Sequence, residues 1–103
     1  MHPTVQERFA ELRRLCVQHR VERLYLFGSA ARDDFDPNTS DLDFLVEFEP
    51  MPPRDHADAF FGLLEDLERL FGRRVDLLEP EPIKNPYRWE SIVQSRQVLY
   101  EAA

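Results

Sequence analysis

Two short segments rich in β-forming residues constrain the fold of this chain more than any other feature of its sequence. Residues 21–27, "VERLYLF", end in four apolar residues that occupy both faces, which predicts a buried inner strand ending at Gly28. Residues 42–48, "LDFLVEF", place apolar side chains on one face and a mixed set on the other. The two segments therefore predict two strands of a small sheet.

Helical patterns alternate with these strands along the chain. The predicted elements, in order, are a helix over residues 4–19, the strands 21–27 and 42–48, a helix over 55–71, a strand over 74–78 and a helix over 87–97. Residues 98–100 are read either as a short edge strand or as the end of the last helix. We therefore expect an α/β (α+β) fold, with a small mixed β-sheet and helices packed mainly on one face, in one domain covering residues 1–103.

Capping residues and apolar stripes define the predicted helices. Thr4 and Glu7 form the pattern of a capping box at the start of the first helix. Asp55 is predicted to cap the second helix and Gly72 to end it. The side chains expected to face the core are Val5, Phe9, Leu12 and Cys16 in the first helix, Ala57, Phe60, Phe61, Leu63, Leu64, Leu67 and Phe71 in the second, and Trp89, Ile92 and Val93 in the last.

Composition limits the classes of function. The formal net charge is -7, which argues against direct nucleic-acid binding because the phosphate backbone dominates that affinity. A basic protein partner, or a nucleotide that carries its own cations, fits an acidic chain better. The single cysteine, Cys16, excludes an internal disulfide and is compatible with a reducing cytoplasm. No apolar run is long enough to span a membrane, so no membrane association is expected.

Two aspartates stand at the head of the second predicted strand. Asp41 and Asp43 are two residues apart, so their carboxylates project to the same side, roughly 6 to 7 Å apart along the strand. Two ionised carboxylates facing one way repel each other, and a divalent cation beside them removes that penalty. The alternative is a solvated strand end with no ligand, since Asp-x-Asp is common by chance.

A possible phosphate-binding turn precedes these aspartates. Gly28 follows the first strand, where the backbone can turn sharply, and Ser29 offers a hydroxyl. The residues after them can form a short helical turn whose amides favour an anion. A plain β-turn is the alternative. Arg32 is a candidate phosphate or carboxylate clamp, or else it pairs with one of the neighbouring aspartates, Asp33, Asp34 and Asp36.

A third carboxylate comes from the strand predicted over residues 74–78. Asp76 lies between two apolar residues in a strand that should be largely buried, where a charge needs a partner or a metal ion. Arg73 or Arg74 is a candidate partner; alternatively, Asp76 faces the same cavity as Asp43 from a neighbouring strand. Three carboxylates beside a phosphate-binding turn describe a two-metal site for phosphoryl or nucleotidyl transfer.

The segment "GSAARDDFDPNTSDLD", residues 28–43, resembles the signature of the nucleotidyltransferase superfamily that includes DNA polymerase β. In that signature a Gly-Ser pair is followed, after a spacer, by Asp-x-Asp. The succession "LFGSAAR…SDLDFLV…RVDLL" looks like the minimal nucleotidyltransferases, which are often the antitoxin partners of HEPN-domain toxins. The resemblance covers most of the chain, from the first helix to "VLYE".

The resemblance implies roles for residues that match the motif. Gly28 and Ser29 would hold the triphosphate of ATP, with Arg32 helping to orient it. The chain departs from many family members at Asp33, where they carry glycine, and a carboxylate there could repel a triphosphate. For antitoxin members the family implies transfer of AMP from ATP to a tyrosine hydroxyl of the toxin, which silences the toxin's RNase activity.

The resemblance also implies the metal ligands. Asp41 and Asp43 would bind two Mg²⁺ ions, and Asp76 would complete the site as a ligand or as the base for the attacking hydroxyl. A chain of this length has no room for an acceptor-binding domain, so a partner protein or a second subunit would position the acceptor. Two other functions stay open: an antitoxin that masks its toxin without catalysis, and a structural protein whose helices mediate homo-oligomerisation.

Overall fold

The computed structural model describes residues 2–32, 36, 40–80 and 85–103, and its centre is a four-stranded mixed sheet. In the order β3-β2-β1-β4, β1 pairs antiparallel with both β2 and β4, and β2 pairs parallel with β3. The strands are β1 at Val21–Phe27, β2 at Leu42–Phe48, β3 at Val75–Leu78 and β4 at Gln97–Glu101. The predicted fold class is confirmed, and the last segment is an edge strand rather than a helix end.

Most of the helices pack on one face of this sheet, as predicted, and one helix covers the other face. They are α1 at Pro3–Gln6, α2 at Phe9–Gln18, α3 at Pro53–Phe71 and α4 at Pro86–Ser95, and a 3₁₀ turn at Gly28–Ala30 follows β1. None of the helices in the described ranges is long and apolar enough to cross a membrane.

The first helix differs from its prediction, because the chain breaks it after Gln6 into α1 and α2. His2 is the cap of α1, and its Nδ1 accepts a hydrogen bond from the Thr4 amide at 3.1 Å. Pro3 has no amide hydrogen and a fixed φ, so it occupies the first helical position and the predicted Thr4 capping box is wrong. Phe9 begins α2 and is 44% exposed rather than buried.

The long helix begins earlier than predicted and ends where predicted. Pro52 is the cap of α3, so Asp55 lies in the first turn instead of capping it. Gly72 ends the helix in the left-handed conformation, with φ +62°, as the sequence indicates. Leu63 and Leu67 are fully buried, whereas Ala57 and Phe61, both predicted to face the core, are exposed.

The larger core lies between the sheet and the helices α2 and α3. Leu42, Phe44 and Val46 all face this core and are fully buried, which confirms the predicted apolar face of β2. Leu24 and Leu26 of β1 join them from the neighbouring strand. The strand alternation therefore directs Asp43 and Leu45 to the opposite face.

The opposite face carries a smaller core under α4. Ile92 is buried there and Trp89 is half-buried, both as predicted, while Val93 is 40% exposed and does not face inward. The strand residues in this cluster are Tyr25, Phe27, Leu45 and Leu78. Because α4 covers this face, the carboxylates that project from it lie beside α4 rather than beside α2 and α3.

Candidate active site

Two aspartates lie side by side at the start of the parallel strands β2 and β3. The register pairs Asp43 directly with Asp76. Adjacent strands are about 4.8 Å apart, so the two carboxylates leave the same face next to each other. Asp41 precedes β2 by one residue and is exposed. The structure thus brings two of the predicted acidic residues together and keeps the third beside them.

The 3₁₀ turn after β1 lies against this pair. Gly28 has φ +72°, and a Cβ added to it would lie only 2.3 Å from Oδ2 of Asp43. No other residue could let the Asp43 carboxylate approach the backbone this closely. Phe27, which precedes the glycine, pairs with Asp43 across the sheet. The position predicted for a phosphate-binding turn is therefore in direct contact with Asp43.

The charges around Asp43 act on its ionisation. Burial, the largest cause, and the nearby carboxylates of Asp76 and Asp41 together raise the pKa of Asp43 to about 6, against the opposing effect of Arg88 and Arg32. Two carboxylates and two guanidinium groups thus act on the Asp43 carboxylate at this edge of the sheet. A site of this kind favours a cation, because a cation stabilises all three carboxylates.

Asp76 is more accessible than the sequence indicates, and its partner is a different arginine. Its side chain is 45% exposed because β3 is an edge strand, so the prediction of a largely buried carboxylate is wrong. Nη2 of Arg88 lies 3.7 Å from Oδ2 of Asp76, whereas Arg73 and Arg74 were the candidates from the sequence. Arg88 comes from the first turn of α4.

The C-terminal end of α4 holds the turn at Gly28. The Gly28 amide donates to Oγ of Ser95 at 3.5 Å, and this hydroxyl in turn donates to the Ser91 carbonyl at 3.2 Å. Nε2 of Gln97 donates to the Ala31 carbonyl at 3.3 Å. No sequence motif predicts these contacts. The sequence feature that indicates them is the pair of inward-facing residues Trp89 and Ile92, which place α4 on this face of the sheet.

The other predicted nucleotide-binding residues lie around the same turn. Ser29 is half-buried within the 3₁₀ turn, next to Gly28. Arg32 is exposed, and its amide donates to the Gly28 carbonyl at 3.2 Å. Asp33, which marks the departure from the family pattern, lies outside the described residues. The turn, the arginine and the aspartates therefore share one edge of the sheet.

The donor set fits a hard divalent cation, although the carboxylates are not gathered into a complete ligand shell. Mg²⁺ binds oxygen ligands, usually one or two carboxylates together with substrate phosphates. Asp43 and Asp76 supply two such carboxylates on adjacent strands, with Asp41 nearby. Across residues 2–32, 36, 40–80 and 85–103, no group of three or more His, Cys, Asp or Glu side chains lies close enough together to hold a metal ion.

The family match, the relatives and the solved structures that resemble this chain all indicate the same family. Residues 9–99 match the family described as "Nucleotidyltransferase domain". Two proteins of Methanocaldococcus jannaschii named "putative protein adenylyltransferase" are 36% and 41% identical over 75 residues; each match covers 73% of this chain, and 73% and 72% of the respective relative. The solved structure of a "putative minimal nucleotidyltransferase" is 32% identical, with a TM-score of 0.67, and the match covers 94% of this chain and 95% of that one.

Two toxin–antitoxin structures share the fold at lower identity. A complex crystallised with AMP-PNP has a TM-score of 0.68 at 20% identity, covering 91% of this chain and 73% of the other. A complex of a tri-AMPylated Shewanella oneidensis HEPN toxin with an MNT antitoxin has a TM-score of 0.63 at 18% identity, covering 94% and 72%. At these identities the likeness is one of fold.

Proposed function

Since this chain belongs to the nucleotidyltransferase domain family, in its minimal form, we propose that it transfers AMP from ATP to a tyrosine hydroxyl of a HEPN-type toxin and so acts as the antitoxin. The observation that carries the proposal is the pairing of Asp43 with Asp76 beside the backbone of Gly28. A carboxylate pair on adjacent strands, in contact with a turn that can approach phosphate, suits nucleotidyl transfer.

The turn and the arginines would bind the nucleotide. The absent side chain of Gly28 leaves space for a close approach of the backbone, and Ser29 adds a hydroxyl in the same turn. Arg32 supplies a guanidinium group, which pairs well with phosphate oxygens. Together these groups would orient the triphosphate so that its α-phosphorus faces the carboxylates, which is the positioning that in-line transfer needs.

The transfer itself exchanges one phosphorus–oxygen bond for another. The tyrosine oxygen attacks the α-phosphorus and forms the new bond, while the bond to the bridging oxygen breaks and pyrophosphate leaves with the electron pair. The hydroxyl proton needs an acceptor, and Asp76 is placed to serve because its carboxylate is half-exposed beside Asp43.

Asp41, Asp43 and Asp76 would hold the divalent cations of this reaction, two Mg²⁺ ions in the two-metal form of the mechanism. Bound there, such ions lower the pKa of the attacking hydroxyl and neutralise charge on the phosphates. Asp43 would contribute most directly, because burial first, and then the carboxylates of Asp76 and Asp41, disfavour its charged form in the absence of a cation.

The relatives support the choice of acceptor. Two of them carry the name "putative protein adenylyltransferase", and one toxin–antitoxin complex of the same fold contains an AMPylated HEPN toxin. The net charge of -7 suits a toxin with a basic, RNA-binding surface. Both partners would meet in the cytoplasm, where the single cysteine can stay reduced.

The test is an intact-mass measurement on the acceptor. The full chain is incubated with ATP, Mg²⁺ and the protein encoded beside its gene, and the partner's mass and RNase activity are followed together. The proposal expects an added mass of one or more AMP units on a tyrosine and a parallel loss of RNase activity. A partner that keeps its mass and its activity would contradict it.

One observation favours a second candidate function. Among the described residues, the carboxylates do not form a cluster of three metal ligands. An antitoxin that acts only by binding its toxin would not need such a cluster. In that case the chain would inhibit the toxin by covering it. The same experiment separates the two functions, because masking predicts an inhibited partner whose mass is unchanged.

A further inference from the structure

Arg88 forms a loose ion pair with one of the carboxylates of the site. The 3.7 Å between Nη2 of Arg88 and Oδ2 of Asp76 is longer than a hydrogen bond. The two side chains are 53% and 45% exposed, so water competes with the pair. Asp76 therefore keeps oxygen atoms able to bind another cation, and Arg88 is held too weakly to prevent it.

The position of Arg88 is nevertheless well determined by its helix. Oδ1 of Asn85 accepts hydrogen bonds from the amides of Tyr87 at 2.9 Å and Arg88 at 3.3 Å, which fixes the first turn of α4. Trp89 and Ile92 anchor the same helix on the sheet. A rigid element thus delivers a flexible cationic side chain to the carboxylates.

A divalent cation and Arg88 compete for the same carboxylate. A guanidinium group displaced from Asp76 would lie beside the place where a triphosphate binds, and its planar set of donors matches phosphate oxygens. We propose that Arg88 is a nucleotide-positioning residue: it neutralises Asp76 in the free protein, yields Asp76 to a divalent cation, and then pairs with a phosphate group of the incoming nucleotide. This inference rests on the proposed nucleotidyl transfer.

The first test measures cation binding without nucleotide. Mn²⁺ is titrated calorimetrically into the wild-type chain, the Arg88→Ala variant and the control Arg69→Ala. Arg69 is a suitable control because it is an exposed arginine paired with Glu65 and Asp66 on α3, against the other face of the sheet. Removing a competing cation should tighten Mn²⁺ binding about two- to fivefold in Arg88→Ala alone. Equal or weaker binding would overturn the proposal.

The second test measures how substitution of Arg88 changes the KM for ATP and the kcat of AMP transfer. Arg88→Ala should raise the KM for ATP about tenfold with a smaller change in kcat, because a phosphate contact is lost, and Arg88→Lys should recover part of the effect. A role limited to folding would not give tighter Mn²⁺ binding together with weaker ATP binding. An unchanged KM would overturn the proposal.

The two proposals can fail separately. If the wild-type chain transfers no AMP, the proposed function fails, and the Mn²⁺ titration still decides whether Arg88 competes for Asp76. If the wild type transfers AMP and Arg88→Ala does so with the same KM, only the role of Arg88 fails. Arg88→Gln, which keeps a long polar side chain in the helix, gives the same comparison should the alanine variant fold poorly.

Discussion

At the residue scale, the contact between Gly28 and Asp43 should affect both the stability of the protein and the proposed AMP transfer. Gly28→Ala places a Cβ within 2.3 Å of the Asp43 carboxylate and also forces a side chain into a backbone with φ +72°. The backbone effect alone costs about 1–2 kcal/mol. We expect a loss of that size or more in the free energy of unfolding, together with loss of AMP transfer because Asp43 must move.

The matched control is Gly72→Ala. Gly72 has nearly the same φ, +62°, but an added Cβ there meets nothing within 4 Å. Urea unfolding should therefore show a loss of stability for both variants, and the transfer assay a loss for Gly28→Ala alone. Full transfer activity in a folded Gly28→Ala variant would contradict the close approach of Asp43.

The raised pKa of Asp43 predicts a pH dependence of stability. Its pKa is about 6 in the folded protein and about 4 in an unfolded chain, so the folded state binds more protons between these values. Stability therefore falls as pH rises through this window, and the loss persists above pH 6. Asp43→Asn should raise the free energy of unfolding by about 1 kcal/mol above pH 6. This is less than the pKa shift alone would give, because solvent screens the carboxylate.

Urea unfolding with a chelator, across the window from about pH 4 to about pH 7, measures this effect. The quantity of interest is the difference between variant and wild type, since other groups also titrate. Asp58→Asn serves as the control, because Asp58 is exposed on α3, which packs against the other face. If the two substitutions changed stability equally at every pH, the assigned pKa of Asp43 would be wrong.

At the scale of elements, α4 connects the two halves of the site. Its first turn carries Arg88 to Asp76, and Ser95 at its end accepts from the Gly28 amide. Ile92 is buried between these ends, so Ile92→Ala should cost about 2–4 kcal/mol of stability through the cavity it leaves. Val93→Ala, on the exposed side of the same helix, should cost less than about 1 kcal/mol.

Thermal or urea unfolding of the two variants tests this assignment. A site that depends on α4 should also lose transfer activity in Ile92→Ala and keep it in Val93→Ala. Equal destabilisation by both substitutions would mean that α4 packs in a different rotation, with Arg88 pointing away from Asp76.

The sequence predicts the strands and their faces because these depend on short-range patterns. Alternation in β2 assigns Asp43 to the face opposite Phe44 without any knowledge of neighbouring strands, and the glycine after β1 marks the turn. The partner of Asp76 could not be predicted in this way. It depends on how α4 crosses the sheet, which is set by packing between residues distant in sequence, and the nearer Arg73 and Arg74 were favoured by proximity alone.

At the scale of the whole molecule, charge should control the encounter with the proposed toxin partner. The chain has 20 acidic and 13 basic side chains, for a net charge of -7. Attraction to a basic partner weakens as salt shortens the Debye length, from about 30 Å at 0.01 M to about 8 Å at 0.15 M. We expect the association rate constant to fall steeply over this range while the dissociation rate changes little.

Stopped-flow or surface-based kinetics with the HEPN-type partner measure both rates. An association rate independent of salt would contradict an electrostatically guided encounter. It would not bear on the proposed chemistry of the site, because the proposed transfer step depends on groups at the sheet edge and not on the net charge.

The most direct measurement of the central claim is transfer of label from ATP radiolabelled at the α-phosphate to the HEPN-type partner. The wild type and Asp58→Asn should transfer the α-label, and ATP labelled at the γ-phosphate should give no labelled protein. The double variant Asp41→Asn, Asp43→Asn should remain folded, because like-charge repulsion is removed, and should transfer nothing. Labelling of the partner by the folded double variant at the wild-type rate would contradict the assignment of this sheet edge as the site of transfer.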